Sequence, residues 1–163
     1  MDYKIKDWNN HIQGVAESLK EKNDDIFLVK LRNSWIEAGF DTVASEWIRD
    51  MFEQKETKEY AMSEFNKVFN MCKSGDVNEN ISANLMCCAK FMPRKYIQGI
   101  SYKLVEWGLS HKGLEVLDQT LGIIEYWEDR KDLLKMLAST RLKETWLEEY
   151  RKQILDDYKE DLV

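Results

Sequence analysis

Proline occurs once in this chain, at Pro93, and glycine only seven times in 163 residues. An all-β sandwich or barrel of this length needs turn residues every 8 to 12 positions or so, and that chemistry is missing. Only two histidines, His11 and His111, are present, a hundred positions apart, so a histidine-based acid–base site has little to draw on. The three cysteines are odd in number and two are adjacent, Cys87 and Cys88, which excludes a disulfide framework and a spaced zinc-binding pair. No apolar run reaches the roughly 18 residues of a membrane span, and the start Met1-Asp2-Tyr3-Lys4 lacks a signal-peptide core. These features point to a soluble, cytoplasmic protein with no membrane association.

What the chain does have is helical periodicity. Leu114, Leu117, Leu121 and Ile124 recur at three and four, as do Leu28, Leu31 and Trp35, and Ala61, Phe65, Val68 and Cys72. Alternation of period two is absent from any long stretch, so the fold class is all-α. The breaks predict helices over 3–22, 25–38, 42–54, 57–73, 78–91, 94–107, 111–127, 130–138 and 141–160. Asp41, Asp76, Ser110 and Asp129 stand where N-caps belong, Gly39, Gly75 and Gly108 where helices should stop, and Pro93 where a new helix opens. The connections are short, which favours antiparallel neighbours, and none is long enough to separate domains, so residues 1–163 read as one all-α domain.

Trp107 through Leu117 can be laid over Trp127 through Leu137, with Trp, a basic-type residue and two leucines coinciding. Around that pair, the run Gly113-Leu114-Glu115-Val116-Leu117, the apolar-aromatic stripe Leu121, Ile124 and Trp127, the short turn with Asp129, and Leu133, Leu134 and Leu137 resemble the helical-hairpin repeats of the HEAT type. The likeness continues through Thr145-Trp146-Leu147-Glu148-Glu149-Tyr150. The resemblance marks 94–163 as repeat-like and implies a right-handed stack of antiparallel helical hairpins, an α-solenoid that presents a surface to a partner. A closed helical bundle is the alternative architecture.

Neither histidine is assigned a catalytic role, and no Glu-x-x-His pair, phosphate-cradling glycine loop or nucleophile elbow occurs. The reading is therefore of a protein that is not an enzyme and has no cofactor or metal. Cys72, Cys87 and Cys88 are read as small buried hydrophobes, and Trp35, Trp47, Trp107, Trp127 and Trp146 as core, with Trp8 stapling the first helix.

Charge is uneven. Residues 144–163 carry seven acidic and three basic side chains, which makes Glu148, Glu149, Asp156 and Asp157 the candidate docking face for another protein with a basic surface. From Lys90 to Lys103 there are Lys90, Arg94, Lys95 and Lys103 with no acid, interleaved with Phe91, Tyr96 and Tyr102. Cations beside aromatics can hold an anion or nucleic acid, although the net charge of -6 argues against a dedicated nucleic-acid binder. The first expectation is thus an adaptor or inhibitor, of a size and acidity that fit bacterial or phage immunity and counter-defence proteins. A nucleic-acid-associated module is the alternative.

Overall fold

The computed structural model describes residues 26–37 and 39–163. The expected helix 3–22, with Trp8 and His11, lies outside the described residues. Among those described, every regular element is helical: α1 (Ile26–Arg32), α2 (Val43–Glu53), α3 (Lys58–Ser74), α4 (Glu79–Lys90), a 3-10 turn (Arg94–Ile97), α5 (Ser101–Leu109), α6 (Leu114–Tyr126), α7 (Lys131–Ala138), α8 (Thr145–Asp157) and a closing 3-10 turn (Lys159–Leu162).

The helix limits follow from local bonding. Thr42, not Asp41, caps α2, its hydroxyl accepting from the Ser45 amide at 3.0 Å, and Asn78, not Asp76, caps α4 through the Ile81 amide at 3.0 Å. Asp41 is drawn instead to Arg49, whose Nη1 donates to it at 2.7 Å. Gly75 closes α3 with φ 77°, and the amides of Gly75 and Asp76 return to the carbonyls of Cys72 and Met71, the Schellman arrangement for which glycine is suited. Ser110 ends α5 and does not open α6: its hydroxyl donates to the Glu106 carbonyl at 3.0 Å, and α6 starts after Gly113.

Two expected helices are cut short by tertiary bonding. The chain leaves α1 at Arg32 because the Ser34 hydroxyl accepts from the Ala44 amide at 3.0 Å and its carbonyl from Asn84 Nδ2 at 3.4 Å, tying the chain at Ser34 to both α2 and α4. The span 94–107 is broken at Gly99 into a 3-10 turn and α5, a break that lets the Arg94 Nε donate to the Ser101 hydroxyl at 2.8 Å.

Helix α4 is the centre of the molecule, with every residue from Ile81 to Ala89 buried. It packs most extensively on α6 and also on α1, α2 and α3, which pack on one another. Beyond it the pairing alternates: α4 with α6, α5 with α7 and α6 with α8, while α5 rests on α6 and α7 on α8. One apolar cluster runs from Phe27 to Ile154. Trp47 is buried edge-on to Phe27 at 5.3 Å, and the buried Trp127 indole donates to the Ala89 and Met92 carbonyls at 3.0 Å each. Trp107 is half-buried against Phe69. Trp35 and Trp146, expected in the core, are instead 82% and 47% exposed. Trp35 is carried out by the linker that Ser34 anchors, and Trp146 falls on the side of α8 away from the buried Leu147, Arg151 and Ile154.

Candidate functional site

The carboxy-terminal acids do not form one set. α8 turns Leu147, Arg151 and Ile154 inward, so 100° per residue leaves Trp146, Glu149, Lys152, Gln153, Asp156 and Asp157 facing water, three acids with one cation among them. Glu148 is withdrawn from that face. It accepts from Arg151 Nε at 2.6 and 2.8 Å, and Arg151 Nη1 donates on to the Leu137 carbonyl at 3.2 Å. The Arg151 hydrogen bond holds the Glu148 carboxyl below its ordinary range. This pair ties α8 to the last turn of α7. Asp156 lies 3.8 Å from Lys159, but both are largely exposed, and such a contact contributes little.

The basic stretch is likewise divided. Arg94 is 7% exposed and committed internally: Nη1 and Nη2 donate to the two Asp132 oxygens at 2.7 Å each, and Nη1 also to the Asp129 carbonyl at 2.7 Å. Its bond to Asp132 holds that carboxyl below the usual range. Arg94 is thus an internal link and not a free cation. Lys90 and Lys95 line a groove of about 560 Å³ with Phe91, Tyr126, Glu128 and Asp129. The Lys90 ammonium lies 4.8 Å from the Phe91 ring centre and 5.5 Å from that of Tyr126. Lys103 is exposed on α5 and is not among the residues lining this groove. Two free cations facing two carboxylates make a mixed groove, short of the continuous positive track that a nucleic acid backbone needs.

No family model, characterised protein or solved structure matches this chain.

Other reactive groups are placed as structure. Cys72, Cys87 and Cys88 are free and buried, as the helical spacing of Cys72 and Cys88 suggested, and burial pushes all three thiols up, Cys87 to about 11. A thiolate is the reactive species. We therefore expect the native protein to leave a chromogenic disulfide reagent unconsumed at about pH 8 for as long as it stays folded, and to release colour for all three thiols in denaturant; rapid native labelling of even one would contradict the packing of α3 and α4. Asp118 is held above its ordinary range, by burial first and by Glu115 second, with Lys90 opposing, and it lines neither this groove nor the pocket considered below. Among the described residues no group of three or more His, Cys, Asp or Glu side chains could hold a metal ion, and no helix is long and apolar enough to cross a membrane.

The feature that sequence reading missed is Trp146. Its i+3, i+7 and i+11 neighbours are Glu149, Gln153 and Asp157. A stripe that includes a tryptophan signals a contact, and spacing alone does not say whether the contact is with the core or with another molecule.

Proposed function

We propose that this protein is a non-enzymatic adaptor or inhibitor that binds a basic protein surface through the outward face of α8. The observation that carries the reading is the half-exposed Trp146 in line with the exposed acids Glu149 and Asp157, with exposed Asp156 beside that line. An indole offers a large contact area at little entropic cost, and interface tryptophans commonly contribute about 2 kcal/mol or more. The acids would mainly speed encounter with a cationic partner and fix its orientation. The alternating pairing of α4 to α8 supports a short two-row stack of hairpins, with α4, α6 and α8 in one row, as the HEAT resemblance implies. Such a stack holds α8 rigid on α6 and α7, so its outer face is available without rearrangement.

The test is affinity capture from the native cell using the wild type, Trp146→Ala, and a triple variant Glu149→Lys, Asp156→Lys, Asp157→Lys. Glu148 is left intact because changing it would leave the buried Arg151 without its carboxylate. A basic protein retained by the wild type should be depleted about tenfold or more with each variant. Loss in the triple variant should be strongest at low salt, and loss with Trp146→Ala should persist at high salt. Equal recovery from all three baits would reject this face.

A further inference from the structure

A second concavity lies between the α5–α6 turn and the α7–α8 loop, with a volume of about 390 Å³. Its walls are aliphatic, from Leu109, Leu114, Leu117 and Leu142, and Leu114 remains 45% exposed. Its rim is cationic, from Lys112, Arg141 and Lys143, with His111 beside them and Glu144 the one acid in the lining. In a chain of net charge -6, this local reversal of sign around an apolar slot sets the place apart.

We infer that this pocket docks an acidic peptide segment of a partner protein, with one or two bulky apolar side chains entering the slot and flanking carboxylates meeting the rim. The site is built before a ligand arrives. His111 Nδ1 accepts from the Gly113 amide at 2.9 Å and its ring packs edge-on to Trp107 at 5.0 Å. Arg141 Nη1 donates to the carbonyls of Ala138 and Thr140 at 3.1 and 3.0 Å, and Leu142 is partly buried against the apolar core. Fixed loops cut the ordering cost of binding, which is where preorganised sites gain affinity. The volume is at the small end for ligand clefts and suits side chains entering one at a time, not a flat surface. The same rim suits a nucleic acid strand poorly, because the walls are aliphatic and the single ring in the lining, His111, is packed edge-on to Trp107 instead of standing out as a stacking platform.

The proposal can be tested by fluorescence anisotropy, titrating the full-length protein into a labelled, acetylated peptide in which a leucine–phenylalanine pair is flanked on both sides by glutamates. Saturable one-to-one binding is expected, weakening as salt rises. Affinity should fall about tenfold or more for a peptide with serine and glycine in place of the apolar pair, for the protein variant Lys112→Glu with Lys143→Glu, and for Leu114→Ser. These three positions are on the surface, so circular dichroism and the melting temperature should stay at their wild-type values in both variants. A lysine-flanked peptide should not bind. The inference is overturned by absence of saturable binding at low salt, by equal affinity for the peptide without its apolar pair, or by unchanged affinity in either variant. It is also overturned if a single-stranded oligonucleotide of equal charge binds more tightly and displaces the peptide. Trp146→Ala should leave the peptide affinity at its wild-type value, which separates this pocket from the α8 face.

Discussion

Replacing Arg94 with methionine should lower the melting temperature by roughly 6–12 °C. The guanidinium is almost wholly buried and joins three parts of the chain: the Ser101 hydroxyl at the start of α5, the Asp129 carbonyl before α7, and Asp132 in its first turn. Methionine fills much of the volume but leaves the Asp129 carbonyl and the Asp132 carboxylate without this donor. Removing one partner of a buried pair costs about 3–5 kcal/mol, and because Asp132 is 45% exposed and can recover water, about 2–4 kcal/mol is the better expectation. A protein of this length loses about 2–4 °C per kcal/mol, which brings a loss of about 3 kcal/mol to the stated range. The acid limb should change as well. Asp132 is held below its unfolded value chiefly by the Arg94 bond, so its contribution to stability is complete above the unfolded carboxylate pKa of about 4 and is lost as pH falls through the lower folded value. Thermal melts in a pH series should therefore show a steeper acid loss in the wild type than in Arg94→Met. If the variant melts with the wild type at neutral pH, Arg94 is not the internal link described and its availability to an outside anion returns.

Arg94 also shows where sequence reading stops. A cation between aromatics looks the same whether it faces solvent or a carboxylate nearly forty positions away, and only the fold brings Asp132 to it. The helices that were legible are those whose limits are set locally. α3 and α4 lie within a residue of the spans expected from their apolar repeats, because a left-handed Gly75 and a capping Asn78 act within a turn of the chain. α1 was overextended because Ser34 is claimed by Ala44 and Asn84, ten and fifty positions on. The acidic face was legible in composition and blurred in detail. Glu148 and Glu149 are neighbours, yet the first is bound to Arg151 and the second faces water. The i+3 arginine was visible in the sequence and is the signal that could have separated them. The apolar pocket with its basic rim was not visible at all, since its two sides are about thirty residues apart and meet only because α6 and α8 pack together.

The packing of α5 on α6 and α4 depends on a close approach at Gly108, and Gly108→Ala should destabilise the protein by about 2 kcal/mol, or roughly 4–8 °C. On an unstrained interior helix position the same change stabilises by about 1 kcal/mol, because alanine is the better helix former. Here the new methyl group would sit 2.7 Å from Met86 Cε on α4 and 2.9 Å from Thr120 Cγ2 on α6, and closer still to the Thr120 hydroxyl. Met86 ends in a flexible thioether and can give way. Thr120 cannot do so cheaply: it is branched at Cβ, fully buried, and its hydroxyl donates to the Val116 carbonyl at 2.6 Å. Overpacking of this kind costs about 1–3 kcal/mol, and the displaced hydrogen bond adds to it. Gly113→Ala is the internal control, because the nearest atoms to its methyl group belong to the outer part of the exposed Glu79 side chain, which can swing into water. Denaturant melts of Gly108→Ala, Thr120→Ala and the double variant complete the argument. With the threonine shortened, the clash disappears, so the double variant should be more stable than the sum of the two single losses by about 1 kcal/mol or more. Additive losses would mean that α5 and α6 part to admit the methyl group, and that the row of helices carrying the α8 face is looser than its packing implies.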